Sequence, residues 1–371
     1  MARHRPVKPG DPLRLPDQVG FVAWIKVVAE YLIGYCDVKT YLRYFMPKIQ
    51  KKVRNWKEYN KSLKKRGTII FSFDQKYLLD LYYSGKQKRG GKRKYSIAMY
   101  EYLLNIKVLF RLPWRATIGL AEELLKKALP GKQITVPDYA HASREVNKLK
   151  LKVKQYAAQN LTGMEIALDS TGIRIYKSSD WHQSRHGVNN DHHSMDKWRK
   201  IHIAMDLDTM QIQGMEYTPS TVNDCEVVSE LSKSVHGKVK SVRADGAYDT
   251  KETYKIINGW GAKPIIPPHA GSKMQDELKR KPKIKVTYLL PRDAAINAIK
   301  KYNDFYEGIR QWKIANNYHR RSLIESCMFR LKSTFGFHLQ QKTEQGRRNE
   351  MIVKINLLNL MASYGRAQYS T

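Results

Sequence analysis

Cysteine is scarce in this chain: Cys36, Cys225 and Cys327 are scattered through 371 residues without metal-ligand spacing. A disulfide framework and a cysteine-built zinc site are thereby excluded, and buried reduced thiols are the expectation. Acidic residues are also in short supply, with 34 Asp plus Glu against 67 Lys plus Arg and a formal charge of +33. That surplus calls for a polyanionic partner, because each base that neutralises a phosphate releases a counterion. Nucleic acid leads, with an anionic membrane surface as its competitor. Long apolar runs are missing too. The longest, "FVAWIKVVAEYLIGY", carries Lys26 and Glu30 and is too short and too charged to span a bilayer, so it reads as an amphipathic core helix. The first residues, "MARHRPVKPGDPLRLPDQ", lack the continuous apolar stretch and small-residue cleavage site of a secretory signal. A cytoplasmic, nucleoid-associated protein is expected.

What is present falls into regions. Residues 1–18 read as a basic flexible arm and residues 19–158 as a mostly helical DNA-binding region. Apolar helical patterns there alternate with basic connectors, "KKVRNWKEYNKSLKKRG" and "GKQKRGGKRK". The paired glycines of the second mark a loop, and Trp56 and Tyr59 in the first suit base stacking beside phosphate contacts. Solvated surface is the plainer reading of both. Three short helices separated by proline turns, "SIAMYEYLLNIKVLF", "PWRATIGLAEELLKKAL" and "PDYAHASREVNKLK", make a trihelical DNA-reading unit conceivable. Its last helix offers Ser143, Arg144, Asn147 and Lys148 to a groove.

From about 160 strands and helices alternate. "MEIALDST" and "IRIYK" read as two strands joined by a tight turn at Gly172, with "KIHIAMDLD" as a third. A helix over "NDCEVVSELSKSVH", capped by Asn223 or Asp224, precedes a strand "KVKSVRADG", a helix "TKETYKIINGWG" and a strand "AKPIIPP". This order predicts an α/β fold, a mixed sheet flanked by helices, over residues 159–340, with a C-terminal helix and tail over 341–371. Residues 270–291 read as a surface excursion.

Asp169 and Asp245 each close an apolar run, which places them at strand ends, where α/β sheets gather ligands. Further on stand Tyr318, Arg321, Glu325 and Lys332, separated by two, three and six residues. On a helix, Arg321, Glu325 and Lys332 share one stripe, a carboxylate between fixed cations. Three converging carboxylates repel one another unless a cation intervenes, so Asp169, Asp245 and Glu325 predict a site for Mg²⁺ or Mn²⁺, with two ions expected. Asp206 and Asp208 read as turn formers, and Asp249 as a cap for the helix near Thr250. The stretch "WHQSRHGVNNDHHSMDKW" tempts a zinc assignment but reads better as a long loop approaching DNA or solvent.

Taken together, "LDST" around Asp169, "KIHIAMDLD", "DGAYD" around Asp245 and the Tyr-Arg-Glu-Lys set resemble the DDE transposases of prokaryotic insertion sequences, especially the insertion-sequence-five-like group. The likeness covers roughly residues 55–362. It implies a ribonuclease-H-like catalytic domain, two Mg²⁺ ions held by Asp169, Asp245 and Glu325, and cut-and-paste movement of the parent element. It also implies that Tyr318, Arg321 and Lys332 contact DNA near the scissile phosphate. Double-stranded DNA, both element ends and target, is the implied partner, and two ends imply a homodimer on DNA. The interval of 80 residues from Asp245 to Glu325 is too short for the β-rich insertion of some relatives. A catalytically inactive DNA-binding relative and a metal-dependent structure-specific nuclease are the alternatives that the sequence leaves open.

Overall fold

The computed structural model describes residues 53–69, 78, 80–86, 89–156, 162–175, 198–277 and 286–368. The N-terminal arm, the helix expected over 21–35 and the histidine-rich stretch lie outside these residues. The chain divides into two compact units, Met1–Trp56 with Ala367–Thr371, and Lys57–Arg366. In the first, the described residues form a clasp: the Arg54 amide donates to the Gln368 carbonyl at 2.7 Å, and the Gln368 amide to Asn55 Oδ1 at 2.8 Å.

The second unit starts within α1 (Trp56–Gly67), so the first basic connector is helical from Trp56 on. No Pro or Gly interrupts it before Gly67, and its far end is held by tertiary contacts. Arg66 donates to the Gly365 carbonyl at 3.0 Å, and Lys65 lies 4.7 Å from the centre of the Tyr364 ring. The described residues of the second connector form neither helix nor regular strand, and an isolated bridge between Tyr82 and Tyr95 brackets them. The three expected helices are α2 (Ile97–Phe110), α3 (Trp114–Ala128) and α4 (Tyr139–Val146). Ser96 caps α2 and Asp138 caps α4, each accepting a backbone N–H from two residues on. Leu103, Ile106, Ala121, Leu125 and Ala142 pack between the three.

The sheet contains β1 (Met164–Arg174), β2 (Trp198–Asp206), β3 (Ile212–Pro219), β4 (Val239–Arg243) and β5 (Lys263–Ile265), in the order β3-β2-β1-β4-β5. The first three strands are antiparallel, and β4 and β5 run parallel to β1, which gives the mixed, ribonuclease-H-like arrangement. Two details differ from the sequence reading. β1 passes straight through Gly172, which lies opposite Lys200 and needs no turn. A Cβ there would stand 3.2 Å from the Trp198 ring, so glycine makes room for the indole. The third strand of the meander is "IQGMEYTP", reached by a turn in which Asp206 accepts from Asp208 N, Thr209 N and the Thr209 hydroxyl. The helix after β3 begins as a tight turn, Asp224–Val227, before α5 (Val228–Ser234). Asn223 makes no side-chain cap there, and Asp224 instead receives Lys200 Nζ at 3.0 Å.

Helices α6 (Lys251–Gly259), α7 (Leu290–Lys300), α8 (Phe305–Ala315), α9 (Ser322–Phe335) and α10 (Glu344–Ser363) complete the unit. The cap of α6 is the Thr250 hydroxyl, not Asp249, whose carboxylate is taken by Arg292 at 2.7 and 3.0 Å. One face of the sheet packs on α5 and α6 through Ile166, Leu168, Val228, Leu231 and Ile257. The other packs on α9, α10 and α2 through Ile201, Ile203, Ile324, Leu331, Ile355 and Leu104.

Helix α10 is buried nearly all round, polar residues included. Its asparagines explain why. Asn349, Asn356 and Asn359 recur on one face and bind the backbone of the extended segment that follows α4. Asn349 donates to the Val146 and Leu149 carbonyls at 2.8 and 2.9 Å. Asn356 accepts from Lys154 N at 2.8 Å and donates to the Lys152 carbonyl at 3.1 Å. Asn359 donates to the Lys154 carbonyl at 2.9 Å and makes both available bonds to Ile212, each 2.8 Å. The amides therefore satisfy a segment that has no strand partner, as buried backbone requires. Asn359→Leu strands three buried backbone groups at once; it should lower stability by roughly 3 kcal/mol, read as a fall in the urea midpoint at unchanged slope.

Candidate active site

Pairing between β1 and β4 stops at Ala167 and Arg243. Two residues beyond each, on the same face by strand alternation, come Asp169 and Asp245. Asp169 is therefore at the end of the parallel pairing but inside β1, which continues along β2 to Arg174. Asp245 accepts the Ala247 amide at 3.0 Å, which fixes the turn that ends β4. The third carboxylate, Glu325, stands in the first turn of α9, the helix laid across this face.

These three carboxylates share one cation. Arg321 Nη2 lies 3.1 Å from Asp169 and 3.7 Å from Asp245, while its Nη1 donates to Glu325 at 2.6 Å. Burial pushes the Asp169 carboxyl up from its usual range; Arg321 and the Ser170 amide pull it back, and Asp245 and Glu325 push it further. Exposure is graded across the set, with side chains 13 % exposed at Asp169, 38 % at Asp245 and 59 % at Glu325. Among the described residues no three acidic, histidine or cysteine side chains are grouped tightly enough to hold an ion as they stand. The guanidinium fills the middle. The donor set itself fits a hard divalent ion, since it offers only carboxylate oxygens from three separate elements around a point where positive charge is required.

The positions of the neighbouring bases follow from packing. Arg320 pairs with Glu165 and, at 2.7 Å, with Asp208, while Arg243 pairs with Glu165 at 2.9 Å. This network bolts the turn Tyr318–Arg321 to the sheet and so aims Arg321 at the acids. Lys332 donates to the Thr171 hydroxyl at 2.6 Å, and burial lowers its pKa. Tyr318 packs on Trp312 with Lys313 5.3 Å from its ring centre, and burial, with the charges of this cluster around it, pushes its phenol up to about 12. The structure thus brings together Tyr318, Arg321, Lys332 and the three acids. Elsewhere, Arg144 is exposed on α4, Lys148 pairs with Glu145 at 2.5 Å, and Asn147 accepts the Thr343 hydroxyl at 2.7 Å. Asn147 is therefore committed to the junction with α10, not to a groove.

A buried polar group on the other face of β1 went unnoticed in the sequence. His202 pairs across from Ser170; its Nε2 is 2.9 Å from the Thr218 hydroxyl, and its Nδ1 lies 3.6 Å from Asp224. The Tyr248 hydroxyl, fully buried, has no partner among the described residues. Only the spacing of His202 inside an apolar strand could have signalled it.

Residues 162–360, more than half of the chain, match a sequence family described as "Transposase DDE domain", and residues 64–178 match a second family of the same description. Among solved structures, a piggyBac transposase in a synaptic complex with hairpin DNA is 10 % identical, covering 81 % of this chain and 72 % of that one, with a TM-score of 0.36. A Drosophila P element transposase in a strand transfer complex is 12 % identical, covering 83 % and 86 %, with a TM-score of 0.23. The family matches, not these two likenesses, classify the chain.

Burial lowers the His202 pKa from 6.5 to about 4, against the pull of Asp224. Between these values the unfolded chain takes up a proton that the folded chain refuses, so stability falls as pH falls through that window. Urea unfolding at pH 7 and pH 4 should show a loss on the order of 3 kcal/mol from this ring, and His202→Asn should lack that component of the slope.

Proposed function

Because the chain belongs to the transposase DDE-domain family and is a DNA transposase, we propose that Asp169, Asp245 and Glu325 are its catalytic carboxylates. The observation that carries this reading is the single guanidinium of Arg321 reaching all three from one helix turn. Residues 76 and 80 positions apart meet at one point of high negative charge, differences taken from 169, 245 and 325. The finer family assignment, to the insertion-sequence-five-like group with its Tyr-Arg-Glu-Lys set, belongs to the same proposal.

The reaction is phosphodiester hydrolysis at the end of the element, which releases a DNA 3′-hydroxyl, followed by attack of that hydroxyl on a phosphodiester of target DNA. Two divalent ions, Mg²⁺ or Mn²⁺, held by the three carboxylates would supply activation of the attacking oxygen and stabilisation of the leaving one. The chain's own residues do the rest. Arg321, once it is no longer needed between the acids, is placed to grip a phosphate oxygen beside them. Lys332, partly buried and donating to the Thr171 hydroxyl, stands at the rim of the same site. Tyr318 stands over the cluster with its phenol protonated and able to donate to a phosphate. Arg144 and Lys148 in the helical region contribute phosphate contacts away from the chemistry. Two element ends acted on together require two such sites, so the DNA-bound form is a homodimer, associated with the nucleoid.

Asp169→Asn, Asp245→Asn and Glu325→Gln should each abolish cleavage of element-end DNA in Mg²⁺, a loss of at least about a thousandfold, while end binding in a gel shift persists. Full cleavage by any of the three would refute the assignment. Joining of a pre-cut 3′ end to target DNA distinguishes a transposase from a nuclease on the same fold.

A further inference from the structure

A cleft of about 450 Å³ opens between α1, α2, the extended segment after α4 and the end of α10. Its volume is that of a small-ligand site. Leu357 and Leu360 supply apolar lining, Tyr156 an aromatic face, and Tyr364 a second ring, over which Lys65 Nζ already stands 4.7 Å from the centre. Burial pushes the Tyr156 phenol up to about 12, with Glu101 and Tyr364 adding to the shift. At the mouth stand Lys65 and Lys154; Lys154 is paired with Glu101 at 2.5 Å, whereas Lys65 has no carboxylate partner among the described residues.

Asn105 is the revealing residue. It lines the cleft from α2 at 8 % exposure, flanked by fully buried Leu104 and Ile106, and its carboxamide makes no hydrogen bond among the described residues. Its polar atoms stay open to the cleft, and a ligand that supplies a donor and an acceptor side by side would pair both. The edge of a purine offers that pair, as adenine does through N6 and N7. The tyrosine faces suit its π-face and the lysines suit a phosphate.

We propose that this cleft binds one purine nucleotide unit, with its base against Tyr156 and Tyr364, its edge on Asn105 and its phosphate at Lys65. The unit has two sources, a free nucleotide or an unstacked nucleotide of a DNA strand. The inference goes beyond the transposition chemistry, since it uses none of the three carboxylates.

The test uses the full chain and two fluorescent probes, free 2-aminopurine deoxyribonucleoside monophosphate and an oligothymidine with one central 2-aminopurine. Stacking on tyrosine should quench at least one probe severalfold. Quenching of the free probe identifies a nucleotide ligand, and quenching of the oligonucleotide alone identifies an unstacked base of DNA; quenching of neither overturns the proposal. The signal should be displaced by dAMP at a concentration at least tenfold below that of deoxyribose 5-phosphate, and equal displacement would show simple attraction to a basic protein and sink it. Asn105→Leu and Tyr364→Leu should each weaken quenching at least tenfold. Tyr364 lies beyond the last turn of α10, so its variant keeps the test valid if Asn105→Leu unfolds; quenching retained in folded Tyr364→Leu overturns the proposal. Asp245→Asn should quench as the wild type does, and loss of the signal there would place the probe at the carboxylates instead. A wild-type chain that quenches but fails to cleave DNA would remove the catalytic assignment and leave this site standing.

Discussion

Like charges brought together by a fold need an opposite charge among them, and this requirement organises the face that carries Asp169, Asp245 and Glu325. Asp169 and Asp245 are fixed by adjacent parallel strands, and Glu325 is fixed by the helix that packs over them. None of the three can retreat without undoing the packing of Ile166, Val242 or Ile324, all fully buried. The electrostatic demand is therefore met by whatever cation the surroundings offer, and in this conformation Arg321 offers itself. That in turn explains the elaborate anchoring of its predecessor, because Arg320 gripping Glu165 and Asp208 leaves the next guanidinium with one direction to point. The same reasoning accounts for the raised Asp169 carboxyl, whose burial exceeds what a single shared arginine offsets.

The helical segment and the sheet are parts of one core, with Ile69, Tyr100 and Leu104 packed among residues of β1, β2, α9 and α10. The ladder of asparagines holds the connection between them. A sequence reader sees α10 as weakly amphipathic, because its buried face alternates Ile and Leu with amides. Packing and hydrogen bonding share the same surface there.

Much of this was legible in the residues, for reasons that can be named. Glu325 and Lys332 share a stripe because α9 is a regular helix, whereas Tyr318 and Arg321, expected on the same helix, lie in the tighter turn Tyr318–Arg321 that leads into it. β2, β4 and β5, with the helix between the last two, were visible because each of these strands is an apolar run bounded by turn residues. Gly172 misled, since glycine inside a strand signals either a turn or a close neighbour, and the neighbour here, Trp198, is distant in sequence. β3 was overlooked because Gln211, Gln213 and Glu216 dilute its apolar alternation, and their partners come from other segments: Tyr156 N bonds Gln211, Gln155 bonds the Gln213 carbonyl, and Arg348 bonds Glu216. The basic run of α1 read as a connector between helices because nothing local reveals that Gly365 and Tyr364 receive its end. His202 was invisible for the same reason; its meaning depends on Thr218 and Asp224, which other elements supply. Local periodicity reads elements, whereas the use of a polar residue is settled by its long-range partners.

The asparagine ladder has a consequence for how such a chain can change. Toward the connecting segment its three amides touch only carbonyls and N–H groups, never side chains, while Asn359 also holds Ile212 of β3, and Lys150 and Lys152 are exposed. A joint that recognises only main chain is indifferent to the residue types threaded through it. The exposed positions Lys150 and Lys152 are accordingly free to vary in charge and bulk, whereas Leu149, Leu151 and Val153, which alternate with them, are tied to the core, so the coupling of the helices before the stretch to what lies behind it stays mechanically the same.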